Sequence, residues 1–297
     1  MNLKERLIDP RSPDRRPRRA AYVLPTLFTA GNIFLGYLAI LQAFQGAMMA
    51  LGGQLGMNPH FEAAAKMIGV AVVLDGLDGR IARLTNTVSD FGRELDSLAD
   101  CITFGIAPAV LAFAWGIRFI EPPNFANVQT AQIFNTGYFV CFLFLLCGAM
   151  RLARFNITTN PVPKNPGRAD RKYFVGMPIP AGAGMVAAVV YAADSTPITW
   201  WVWSVLWLVL LTTLALLMVS MWRYPSFKDI NLLRPRSPIS VVLVGCFLYL
   251  IWAASQQVLL AIATAYVGSG VAIRLGGIIR RKLHRPGPTP HPEHQVG

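Results

Sequence analysis

The chain of 297 residues is 54% hydrophobic and only 14% charged, with mean hydropathy +0.45, a formal net charge of +12 and a pI near 10.0. That composition excludes an ordinary soluble domain and reads as a polytopic membrane protein. The basic residues punctuate apolar runs, so anionic lipid head groups and phosphorylated substrates are the implied partners, with no nucleic acid. Cys101, Cys141, Cys147 and Cys246 lie in apolar segments without metal-ligand spacing, and none of the four histidines falls in a predicted core. Disulfide frameworks, Ser-His catalysis and His-ligated metals therefore have no candidate residues.

Residues 1–22 carry seven basic residues and prolines at 10, 13 and 17, which predicts a basic cytosolic arm facing lipid. A helix needs about 20 residues to cross the hydrocarbon. On that ruler the fold class is all-α, a helix bundle of about eight spans near 26–50, 63–84, 95–117, 131–154, 176–194, 200–221, 238–255 and 257–275. With both termini cytosolic, only Lys66 and Arg118 of the 27 basic residues fall on the outer side, as the positive-inside rule demands. The predicted domain covers 23–276, and 277–297 reads as a disordered basic, Pro-rich tail. Pro25 suits the first turn of the first span, and Thr29 and Asn32, three apart, share one face of it. By residue type alone, helix–helix hydrogen bonding is the favoured role of that pair.

The most informative stretch joins spans two and three. Six of the fifteen acidic residues fall between 75 and 100: Asp75, Asp78, Asp90, Glu94, Asp96 and Asp100. At about 100° per residue, Asp75, Asp78, Gly79 and Ala82 occupy one arc of the second helix. Gly92, Asp96 and Asp100 step by four along one stripe of the third. A charge at the bilayer centre costs about 2.5–3.5 kcal/mol even on lenient insertion scales, so carboxylates here imply a function. Oxygen-only clusters favour hard cations such as Mg²⁺, Mn²⁺ or Ca²⁺. The bland alternative is a solvated loop in which they pair with Arg80, Arg83 and Arg93.

Asp75-x2-Asp78-Gly79-x2-Ala82-Arg83-x8-Gly92-x3-Asp96-x3-Asp100 resembles, position for position, the motif of the CDP-alcohol phosphatidyltransferase family. Eight fixed residues at fixed spacing make the match specific. The segments Leu95–Gly105, Arg151–Asn156 and Phe174–Pro180 further resemble the phosphatidylserine synthase branch, and the resemblance covers roughly residues 22–185. It implies an integral membrane transferase of phospholipid biosynthesis, in a bacterial cytoplasmic membrane, with its active site facing the cytosol. CDP-diacylglycerol and L-serine would give phosphatidylserine and CMP. It implies Asp75, Asp78, Asp96 and Asp100 as ligands of Mg²⁺ or Mn²⁺, with Asp100 also the general base. It implies Gly79, Ala82, Arg83, Gly92, Thr29 and Asn32 along the CDP moiety, and a homodimer.

Arg151 and Arg154, one helical turn apart, are candidates for gripping the acceptor, since a guanidinium binds carboxylate or phosphate bidentately. Snorkelling to lipid phosphates is their ordinary alternative. Glycerol 3-phosphate or inositol phosphate as acceptor is the competing enzyme reading. A cation transporter is the distant one, disfavoured by the lack of repeated halves and by carboxylates near one face.

Overall fold

The computed structural model describes residues 19–85, 90–121, 130–159, 173–225, 249–250 and 253–283. Among the described residues the main α-helices are α1 (Arg19–Leu51), α2 (Pro59–Thr85), α3 (Asp90–Asp100), α4 (Ala107–Gly116), α5 (Thr130–Thr159), α6 (Ile179–Ala192), α7 (Trp201–Val219) and α8 (Ser255–Leu283). A π-helical segment, Cys101–Ile106, joins α3 directly to α4. Two three-residue strands, β1 (Tyr173–Val175) and β2 (Arg223–Pro225), pair antiparallel and are the departure from an all-helical chain.

Among the described residues, five helices are long and apolar enough to cross a membrane: Thr26–Leu51, Phe91–Gly116, Ala131–Ile157, Trp201–Val219 and Ser255–Arg274. Of the other three expected spans, 63–84 is helical within α2, whose acidic stretch dilutes its hydropathy. The span expected at 176–194 is the 14-residue α6. The span expected at 238–255 lies mostly outside the described residues, as do the tail beyond 283 and most of the basic arm. α1 begins at Arg19, so Pro25 stands inside the helix rather than in its first turn.

Most tertiary packing is helix on helix, and small residues set how closely axes approach. α1 and α2 form a tight hairpin. Asn58 caps α2 by accepting hydrogen bonds from the backbone N–H of His60 at 3.1 Å and Phe61 at 3.3 Å. Its amide donates back to the Gly46 carbonyl at 2.9 Å, fastening the two helices. Gly46 is needed there because a Cβ would lie 2.7 Å from the Phe61 ring. Caps of this kind contribute about 1 kcal/mol.

α4 docks on α7 by a different device. Trp207 donates from Nε1 to the Ala112 carbonyl at 3.0 Å, and Ser204 from Oγ to the Gly116 carbonyl at 2.9 Å. The second bond satisfies a carbonyl that the helix end leaves open. The Trp207 indole lies over Gly116, edge-on to Trp115 with ring centroids 5.1 Å apart.

The π-helical segment follows from the sequence. Pro108 has no N–H to offer the Phe104 carbonyl, and the ladder widens just before it. The Ala107 N–H reaches the Ile102 carbonyl, five residues back. Pro108 thus accounts for the widened turn, within which Gly105 is buried where a Cβ would meet Leu145 at 2.8 Å.

Gly176 makes the turn from β1 into α6 at φ +81°, the left-handed region that disfavours side chains. Its N–H donates to the Trp222 carbonyl at 2.8 Å, and a Cβ would stand 2.6 Å from the Met218 carbonyl oxygen. Gly176→Ala is expected to destabilise the protein by at least about 1–3 kcal/mol. A lowered thermal unfolding midpoint in detergent checks this; an unchanged midpoint would refute it.

Candidate active site

The carboxylate stripe folds into one place. α2 supplies Asp75, and α3 supplies Asp96 and Asp100 from adjacent turns of one face. One oxygen from each of the three lies within 4.8 Å of the others. Asp100 is buried, and Asp75 and Asp96 are half-buried. At an effective dielectric of about 20, each ionised pair at that separation repels by on the order of 3 kcal/mol. Such a cluster needs positive charge.

Part of it is supplied by the protein. Arg151, half-buried near the end of α5, lies in electrostatic reach of Asp100 and Asp75 and also of Tyr266 on α8. Arg154 is exposed. Arg151 by itself does not offset three carboxylates. Two ligands of one Mg²⁺ or Ca²⁺ stand at most about 4–5 Å apart, which is twice the metal–oxygen distance. An all-oxygen set gathered within 4.8 Å, one member buried, therefore fits a hard divalent cation.

α1 forms a further wall. Asn32 is fully buried, and neither atom of its carboxamide finds a hydrogen-bond partner among the described residues. Its backbone carbonyl accepts from Thr103 Oγ1 at 2.9 Å, three residues beyond Asp100. Gly36, one turn on, lets the Thr103 backbone come close; a Cβ there would be 2.8 Å from the Thr103 Cα. On the same helix, Gly31 faces Leu74, the neighbour of Asp75, at 3.9 Å from an added Cβ. Thr29 is buried as well. α1 thereby carries Asn32 in among the carboxylate-bearing segments.

Gly79 lies on α2 where an added Cβ would meet nothing within 4 Å, so protein packing does not demand a glycine there. Gly92 is half-buried in the opening turns of α3. The side chains of Asp78, Ala82 and Arg83 lie outside the described residues, although their backbone is helical within α2.

Two features of the site escape sequence reasoning. Ser97, next to Asp96, is joined to Asn156 at the end of α5: the Asn156 amide donates to Ser97 Oγ at 2.9 Å. That bond clips the arginine-bearing helix to the carboxylate-bearing one. The second feature is Tyr266, whose helix looks only generically apolar in sequence; the Tyr266-x3-Gly270 spacing is its one signal.

Comparison with known proteins adds to this geometry. The sequence profile of the CDP-alcohol phosphatidyltransferase family matches residues 22–215. A CDP-diacylglycerol–serine O-phosphatidyltransferase of Helicobacter pylori is 39% identical over 215 residues, covering 72% of this chain and 77% of the relative. The enzyme of that name from Bacillus subtilis is 34% identical over 207 residues, covering 69% of this chain and 91% of its own. One from Saccharomyces cerevisiae is 38% identical over 159 residues, 52% of each chain.

Proposed function

The chain belongs to the CDP-alcohol phosphatidyltransferase family, and from that premise we propose that it transfers the phosphatidyl group of CDP-diacylglycerol to L-serine, releasing phosphatidylserine and CMP. The relatives that share its sequence carry that activity in their names. The observation that carries the reading is the meeting of Asp75, Asp96 and Asp100 with Arg151 at one end of the bundle.

In this reading Asp75, Asp78, Asp96 and Asp100 hold Mg²⁺ or Mn²⁺. The bound cation supplies neutralisation of the pyrophosphate and of charge growing on the departing CMP. Gly79 and Ala82 leave room for the nucleotide, and Gly92 keeps the opening of α3 slim beside it. Arg83 holds phosphate oxygens, while Thr29 and the unpartnered Asn32 carboxamide line the CDP moiety. Arg151, with Arg154 beyond it, grips the serine carboxylate. Asp100 takes the proton of the serine hydroxyl as that oxygen attacks the phosphorus bearing diacylglycerol. The new P–O bond forms as the bond to the CMP oxygen breaks, and CMP leaves with the electron pair.

The same reading places eight spans in a bacterial cytoplasmic membrane, with both termini and the site on the cytosolic side and lipid around the bundle. The distribution of basic residues supports this orientation. At the opposite end, Trp200 and Trp203 stand exposed at the start of α7, as rings at a head-group boundary do. The basic arm 1–22, a catalytic domain 23–276, a tail 277–297 and a homodimeric state complete the proposal.

The test is CMP release from CDP-diacylglycerol by purified protein in detergent with Mg²⁺ or Mn²⁺, acceptor varied. Serine-dependent release is the expected result. Release only with glycerol 3-phosphate or inositol phosphate would keep the family and refute the acceptor.

A further inference from the structure

The packing of α5 changes character toward its end. Phe144, Gly148 and Leu152 are buried and step by four along one stripe. Beside them Leu145 lies against Gly105 of the π-helical segment. One turn beyond Leu152 the stripe continues as a polar residue, the half-buried Asn156, while Ala153, Arg154 and Phe155 are exposed. The facing segment changes in the same way. Gly105 and Cys101 are four apart, with a Cβ on Gly105 standing 3.9 Å from Cys101 Sγ, and four residues before Cys101 comes Ser97.

Ser97 and Asn156 meet there. Ser97 Oγ accepts a hydrogen bond from Asn156 Nδ2 at 2.9 Å. Its single proton is shared between Asn156 Oδ1 at 3.3 Å and the Arg93 carbonyl at 3.1 Å. Helix formation asks for neither residue, since serine and asparagine form helices less well than alanine or leucine and compete for backbone hydrogen bonds. A polar pair that closes an apolar seam has another use. It fixes rotation and axial register, because a slip leaves polar groups unpaired. The two contacts, Gly105 with Leu145 and Ser97 with Asn156, run in opposite order along the two segments, so these are antiparallel and the second contact sets their end.

What that end carries is the site. Ser97 follows Asp96 and precedes Asp100 by three residues, and those carboxylates gather with Asp75 within 4.8 Å. Asn156 stands two residues beyond Arg154 and five beyond Arg151. The carboxylates come from α2 and α3 and the arginines from α5, so the clip decides where one set stands relative to the other.

We infer that Ser97 and Asn156 are a positioning pair for the transfer: they hold the acceptor-gripping end of α5 in register with the carboxylates of α3. This rests on the serine-transfer reading above. Neither residue touches the reacting atoms.

The experiment measures kcat and KM for serine, KM for CDP-diacylglycerol and the Mg²⁺ concentration for half-maximal activity, on full-length protein, with the unfolding midpoint in detergent alongside. Ser97→Ala is expected to lower kcat/KM for serine about tenfold or more, because a reactant displaced by about 1 Å loses up to about a hundredfold in rate. Donor KM and half-activating Mg²⁺ stay within about twofold of the parent, since the carboxylates are gathered without α5. Ser97→Thr keeps the hydroxyl and the parent's values. Ser97→Ala combined with Asn156→Leu loses no more activity than the worse single variant, because the two act as a unit. Its midpoint stands at or above the parent's, since apolar groups replace both polar partners. Unchanged kcat/KM for serine in Ser97→Ala, in a protein that uses serine, overturns the inference alone. So does a Ser97→Thr variant as slow as Ser97→Ala, which would assign the effect to volume. A lowered midpoint with donor KM and Mg²⁺ requirement rising together would make the pair merely structural and also overturn it. A parent protein with no serine-dependent CMP release overturns the acceptor reading, and this inference with it.

Discussion

Asp100→Asn lowers serine-dependent CMP release by about 10²–10⁴-fold, the range general-base groups supply. The substitution keeps the volume of a buried side chain and removes one charge from three carboxylates gathered within 4.8 Å. Folding therefore does not suffer. With chelator present, relief of the mutual repulsion puts the unfolding midpoint of the variant at or above that of the parent. The two readouts move in opposite directions, which separates a catalytic loss from a folding defect. Release within about tenfold of the parent would remove Asp100 from the role of base.

The second large effect is that of the cation. Chelation is expected to abolish CMP release, and Mg²⁺ or Mn²⁺ to restore it. The structural counterpart is a stability shift. A cation that binds only the folded protein at 100 times its Kd stabilises it by about 2.7 kcal/mol. Adding Mg²⁺ or Mn²⁺ to chelated protein raises the unfolding midpoint, and the shift shrinks in Asp100→Asn. Undiminished release in excess chelator would end the proposal that the aspartates act through a metal.

What the sequence revealed about this site, it revealed through periodicity. Asp96 and Asp100 lie four apart, and a helix puts such residues on one face whatever surrounds them. Their meeting with Asp75 was legible because an acidic patch in an apolar stretch has few other ways to be tolerated. Asn32 was legible only as a polar residue in a span; its burial and unpartnered carboxamide depend on how closely α1 approaches Thr103. Tyr266 gave almost no sign, since one aromatic in an apolar helix is ordinary and its packing partner, Tyr224, lies 42 positions away. The Ser97–Asn156 clip was hidden for a similar reason: 59 positions separate its partners. Span count was harder to read than helix position. α2 carries its acidic stretch inside the helix, and α6 is short because Pro178 and the turn at Gly176 precede it while the turn at Ala193–Ser195 ends it.

The widened turn Cys101–Ile106 sits between two docking tasks that make different angular demands. Before it, Asp96 and Asp100 must face Asp75; after it, Ala112 and Gly116 must face Trp207 and Ser204. A regular helix ties those directions together at about 100° per residue, so satisfying one would dictate the other. A π-helical turn absorbs an additional residue and changes the phase between the halves. The helix thus behaves as two segments joined by a fixed coupling: one half is free to be selected for chemistry, the other for adhesion to its neighbours.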